Sequence, residues 1–398
     1  MPFTFLLFPC AAVQAQLAVR GETVHTMAGA VIRDGVVLVR DGKIERVGAA
    51  ASVQIPAGYR IIEARVVTPG LVDAHSVVGL SGAFNVPTDQ MQLERSAPIQ
   101  PELRAIDAYN ARERLVEWLR SFGVTTLHTG HGPGSLISGQ TMIVKTVGEG
   151  VDEAVVVPVA MIAATLGEGA LAPGGRAPGS VSKEFAMLRG ELLKAQEYER
   201  KQSGAKEDQR PPRELRAEAL ARVLKGELPL LVTVQRAHNI MSVLRLAKEF
   251  NIRVVLDGAA ESYLLTEQIK AANVPVILHP TMFRAAGETE NLSMETASVL
   301  RKAGIPFALQ SGFEGYVPKT RVVLFEAAVA AANGLTFDEA LASVTIGAAR
   351  LLGIANRVGS LEAGKDADLV LFDGDPFEYT THVNAVIING QLASETKR

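Results

Sequence analysis

Seven histidines and a single cysteine are the side chains of this sequence best suited to metal binding and proton transfer. His75 closes the run Thr68-Pro69-Gly70-Leu71-Val72-Asp73-Ala74-His75-Ser76-Val77-Val78, a short apolar stretch entered through a Pro-Gly turn. An imidazole at a strand end can ligate a metal or carry a proton. Residues i and i+2 of a strand share a face, so the partner position of His75 is 77. That position is Val77, which has no lone pair to offer. His131 lies in Thr129-Gly130-His131-Gly132-Pro133-Gly134, His279 precedes Pro280-Thr281, and Lys145 closes Gly139-Gln140-Thr141-Met142-Ile143-Val144-Lys145. His75, His131, Lys145 and His279 are therefore the candidate catalytic groups. A site built from the three histidines is chemically possible, although a lone loop histidine more often only hydrogen-bonds. Gln235, Glu261, Ser311 and Tyr316, with Glu314, fall in segments that read as strand ends and are candidate substrate contacts. His128 reads as a packed strand residue, and His238 as a residue opening a helix. Gly130 to Gly134 lacks the lysine and strand-helix context of a phosphate cradle. No serine nucleophile elbow is present.

The elements that must position these groups are legible from pattern. Leu17-Ala18-Val19-Arg20-Gly21 and Val36-Val37-Leu38-Val39 read as strands with hairpin turns at Asp34-Gly35 and Asp41-Gly42. The C-terminal segment has the same texture, so residues 16–66 and 354–398 are expected to share one small β unit. From 67 to 353 short apolar strands alternate with helices, which argues for parallel βα units and a closed barrel. Strands are expected over 124–129, 155–162, 230–234, 253–256, 275–278 and 306–309. Helices are expected over 101–121, 239–250, 262–272, 293–303, 320–333 and 337–352. Two parts break the rhythm. Ser81 to Pro98 is a long polar connection suited to a rim or lid. A Glu-, Lys- and Arg-rich insertion near 181–227 reads as two helices joined by a solvated turn around 203–212.

The chain has 398 residues, 47% hydrophobic and 21% charged, enough for one large domain and a small one. A net charge of -3 without a basic run excludes nucleic acid as an expected partner. No apolar stretch reaches the roughly 20 residues of a membrane span. Residues 1–15 read as a signal peptide, with an apolar core from Phe3 to Val13 and Val13-Gln14-Ala15 as cleavage site, although the start lacks a positive charge. The expected location is periplasmic or secreted. Cys10 lies inside this leader, so the mature chain would have no disulfide and no thiolate ligand.

The Pro-Gly turn leading to His75, together with Gly359-Ser360-Leu361-Glu362-Ala363-Gly364-Lys365-Asp366-Ala367-Asp368-Leu369-Val370, resembles the amidohydrolase superfamily, and within it the imidazolonepropionase-like amidohydrolases. The resemblance covers nearly the whole mature chain. It implies an α/β fold, a distorted (β/α)8 TIM barrel with a small β-sandwich formed by both chain ends. It also implies hydrolysis of C–N bonds other than peptide bonds, with zinc or another divalent metal. The family's His-x-His of the first strand corresponds to His75 and Val77. Its fifth-strand pair corresponds to Thr233 and Gln235, its sixth-strand histidine to Gly258 and its eighth-strand aspartate to Gly312. In some relatives a lysine near Lys145 is carboxylated and bridges two metals; an internal salt bridge is the plainer role. His75 alone remains as a metal ligand. The expectation is a degenerate metal centre, no cofactor, and a non-catalytic homologue or partner subunit, as a homodimer or a heterodimer with an intact paralogue. Two alternatives stand beside it: a hydrolase with a rebuilt or metal-independent site, and a small-molecule binder at the barrel mouth.

Overall fold

The structure is a computed structural model that describes residues 16–84, 86–172, 174–204, 206, 208, 210–313 and 320–398. The expected leader, with Cys10, and the candidates Glu314 and Tyr316 lie outside the described residues. No described helix is long and apolar enough to cross a membrane.

Both chain ends meet in one seven-stranded sheet. It contains β1 (Leu17–Val24), β2 (Ile32–Arg40), β3 (Lys43–Ala49) and β4 (Arg60–Pro69) from the N-terminal part. Three C-terminal strands complete it in the order β16-β15-β14-β4-β1-β2-β3, given the barrel strands β5 to β13 between them in sequence. These three are β14 (Leu369–Phe372), β15 (Val383–Ile388) and β16 (Gln391–Ser394). Its apolar residues form one cluster including Val19, Val37, Val67, Leu369 and Ile387, and a second including Ala18, Val36, Leu38 and Val53. Alternate residues thus pack on opposite faces, as the strand period requires.

The barrel strands are β5 (Leu71–Ser76), β6 (Val124–Gly130), β7 (Ile137–Lys145), β9 (Ile162–Thr165), β10 (Leu230–Val234), β11 (Val254–Gly258), β12 (Val276–Leu278) and β13 (Phe307–Leu309), with β8 (Val155–Val157) paired outside on β7. A bridge between Ser76 and Gly312 brings the two ends of the sheet together at the mouth. The interior is filled by Val72, Ala74, Ile143, Leu231, Val255, Ile277 and Ala308. Residues of the opposite phase, such as Leu71, Val232, Leu256 and Leu278, pack outward with the helices.

Four expectations need correction. The barrel is not wholly parallel: β7 runs antiparallel to both β6 and β9, so 124–145 is a hairpin inside the wall. The strand expected over 155–162 is instead two short strands, β8 and β9, each paired with β7. The helix expected over 101–121 is reduced to Arg114–Ser121, because the preceding backbone pairs with β7: Gln140 N–H donates to the Leu103 carbonyl at 2.7 Å. The helix expected over 337–352 breaks into Phe337–Ser343 and Ile346–Leu351. Between them the Val344 carbonyl accepts the Val72 N–H of β5 at 2.8 Å, tying that break to the start of the barrel wall. The charged insertion is two helices, Val181–Gly204 and Leu215–Leu224, as its pattern suggests.

Candidate functional site

Asp257 organises the barrel mouth. It sits on β11 in the interior phase, two residues after Val255. A buried carboxylate must be paired or fully hydrogen-bonded, and this one is. His75 Nδ1 lies 2.9 Å from Oδ1, Gln310 Nε2 donates to the same oxygen at 2.9 Å, and Thr233 Oγ1 donates to Oδ2 at 2.6 Å. His75 can reach inward although Ala74 also does, because the β5–β6 register shifts between Asp73 and Ser76. Burial alone would push the His75 pKa down; the Asp257 carboxylate, and then Asp73, outweigh it and raise it. Burial would raise Asp257, but the His75 ring and the hydrogen bonds from His75, Thr233 and Gln310 bring it below the usual range. Asp73 is buried beside this pair and pushed up to about 6, chiefly by burial and against its bonds from Ser311.

Above the pair is a cavity of about 60 Å³. It is lined by His75 together with Val77, Thr233, Gln235, Gly258 and Gly312. All five positions that the resemblance aligns with the family's ligand positions therefore converge on one small space. Pro133, Pro280, Phe283 and Phe313 supply an apolar wall, and His279 and Gln310 also face it. His279 Nδ1 donates to the Pro280 carbonyl at 2.8 Å, and burial holds this ring's pKa down. The Nε2 atoms of His75 and His279 are buried and have no hydrogen-bond partner among the described residues.

Gly258 and Gly312 have φ of +75° and +68°, the left-handed region that disfavours a side chain. A Cβ on Gly312 would meet Pro280 Cγ at 2.7 Å. The divalent metal that the resemblance implies is a poor fit to these donors. Catalytic zinc needs about three protein ligands plus water. Among the described residues the mouth offers two unpartnered imidazole nitrogens, and the Asp257 oxygens are already engaged. Among the described residues no group of three or more His, Cys, Asp or Glu side chains is placed to hold a metal ion.

Of the described catalytic and substrate candidates, His75, Gln235 and His279 line the cavity, whereas Lys145, His131, Glu261 and Ser311 do not. Lys145 is carried to the opposite end of the barrel by the reversed direction of β7. It pairs with Thr126 in register, lies 3.2 Å from Asp366 and donates to Asp368, all three groups buried. His131 is buried beside Gly139 and away from the cavity. Glu261 accepts the Ala237 N–H at 2.6 Å and the Asn291 amide at 2.8 Å, securing a helix start and a loop. Ser311 donates to buried Asp73 and accepts from Thr320 at 2.9 Å. His128 is a packed residue, bonded to the Ala74 carbonyl at 2.6 Å and the Thr141 hydroxyl at 2.7 Å, with burial first among the causes that lower it to about 3. Sequence reasoning missed Asp257 and Gln310. The available signal was a carboxylate within an otherwise apolar buried strand, which demands partners.

Comparison with known proteins agrees with this architecture. The sequence model of the Amidohydrolase family matches residues 317–393. The imidazolonepropionase of Mesorhizobium japonicum is 26% identical, over 90% of this chain and 90% of that protein. Amidohydrolase tasK of Hapsidospora irregularis is 27% identical over 86% of this chain, which spans only 38% of tasK's length. The crystal structure of an amidohydrolase from Thermotoga maritima MSB8 superimposes with a TM-score of 0.88 at 27% identity, covering 96% of this chain and all of that one. The barrel, the two-ended sheet and these likenesses place the chain in the amidohydrolase superfamily, among its imidazolonepropionase-like members.

Proposed function

We propose that this amidohydrolase-family protein binds a small molecule at the barrel mouth without a catalytic metal and does not carry out the superfamily's metal-dependent hydrolysis. Its relatives include imidazolonepropionases and other C–N hydrolases. The convergence of Val77, Thr233, Gln235, Gly258 and Gly312 on one cavity with His75 carries the reading. A metal-free pocket needs its polar groups satisfied from within, and Asp257 is. One observation favours a second reading, hydrolysis without a metal. His75 lines the cavity and, paired with Asp257 through Nδ1, has no partner for Nε2 among the described residues, the disposition of an oriented general base.

Elemental analysis of protein purified without chelators tests the first reading. Substoichiometric zinc and manganese are expected, and a stoichiometric divalent metal sinks it. Turnover of a cyclic amide by metal-free protein, abolished in His75→Ala, would establish the second reading in its place. Export belongs to the same proposal, resting on the leader-like residues 1–15; the N-terminus of protein from its native host is then Gln16.

A further inference from the structure

Resting on that reading of the mouth, we propose that the pocket takes the end of a small uncharged molecule bearing an O–H or N–H group, which donates to His279 Nε2. The Pro280 carbonyl, 2.8 Å from His279 Nδ1, can only accept, so Nδ1 carries a proton and Nε2 is left as the acceptor of the neutral ring. The residue is 2% exposed and Nε2 has no partner among the described residues. A buried polar atom of this kind costs stability unless something bonds to it, and His279 is one of the residues lining the cavity.

The charge inventory sets the class of ligand. Among the described residues no lysine or arginine lines the cavity, and its one carboxylate is engaged by His75, Thr233 and Gln310. An anion or a cation entering here would lose water and meet only the His75–Asp257 pair, whose groups already face each other. A neutral group avoids that cost, and Phe283 and Phe313 offer it aromatic surface. A second contact is available for an oxygen on the ligand. Gln235 Oε1 accepts the Ala260 N–H at 3.2 Å, while its NH2 makes no hydrogen bond among the described residues. About 60 Å³ admits a few heavy atoms, so a small fragment or one end of a larger molecule is seated.

Three probes that share a ring and differ in charge test this: benzyl alcohol, benzoate and benzylammonium, titrated into the metal-free full chain. Ligand-observed NMR measures affinity, and ¹⁵N spectra of the histidine rings report the contact. Benzyl alcohol is expected to bind at least about tenfold more tightly than either ion and to move the His279 Nε2 resonance. His279→Leu should lose about tenfold in affinity for the alcohol, and the wild-type charge preference decides the matter if that variant does not fold. Tighter or equal binding of either ion overturns the proposal. So does alcohol binding that leaves the His279 resonance unmoved, and so does the absence of binding by all three. None of those results touches the metal-free reading, which falls only to a stoichiometric metal in the purified protein.

Discussion

A Cβ built on Gly258 would lie 2.4 Å from Nε2 of Gln235. Both positions align with histidines in the resemblance, and a side chain at 258 would require the Gln235 amide to move. Gly258 also has a φ of +75°. Gly258→His should destabilise the fold by about 1–3 kcal/mol, read from urea unfolding. Added zinc should not restore the loss, and neither Gly258→His nor Val77→His should bind zinc tightly. Tight zinc binding by the Val77→His protein would mean the site has been misplaced.

Asp257 holds three groups at once, so truncating it leaves His75, Thr233 and Gln310 without their shared acceptor. Asp257→Ala should cost about 3–5 kcal/mol. His75→Ala should cost less, because Thr233 and Gln310 still satisfy the carboxylate. Equal costs for the two variants would show that Asp257 is not the hub.

Lys145 belongs to the barrel floor. Lys145→Met should lower stability by about 3 kcal/mol, since Asp366 and Asp368 lose a buried counter-charge. Binding at the mouth should be unchanged by the same substitution. A change in ligand affinity without a change in unfolding midpoint would contradict this placement.

Glu184 predicts a pH dependence. Burial raises its carboxyl from 4.5 to about 7; the Gly167 N–H opposes the rise and Glu288 adds to it. The folded protein thus keeps this proton in a range where the unfolded chain has lost it. The stabilisation is full below pH 4.5 and declines as pH climbs to about 7. Relative to Glu184→Gln, wild-type stability should fall across that window. A difference that stays constant with pH would remove the assignment.

The segment after β12 should behave as a clasp over the cavity. Glu288 accepts the Glu168 and Gly169 N–H groups at 2.8 and 3.0 Å, Arg236 reaches Glu290 at 2.7 Å, and Asn291 reaches Glu261 at 2.8 Å. Phe283 and Thr289 of the same segment line the cavity. Glu288→Ala should accelerate hydrogen exchange at residues 168 and 169 well above the rest of the chain; unchanged exchange there would show that the tie does no such holding.

The parallel strands β10 to β13 were readable because each is a short apolar run between helical stretches. The strand β7 was not, since an antiparallel hairpin within the wall does not follow the strand–helix alternation. That single reversal explains why Lys145 looked like a mouth residue. Gln235 and His279 were found by their position at strand ends. Asp257 was passed over because reading at strand ends favours the terminal residue, Gly258 here, over the carboxylate one step before it. Glu261 and Ser311 lie in the right segments, yet local hydrogen bonds claim both, which spacing alone does not reveal.

The pairing of Lys145 with Asp366 and Asp368 has a further consequence for biosynthesis. The ammonium leaves the ribosome more than two hundred residues ahead of its partners. Until those last residues emerge, β4 also lacks its neighbour β14. A nascent chain can assemble much of the wall, but the floor closes only once Asp366 and Asp368 have emerged to meet Lys145.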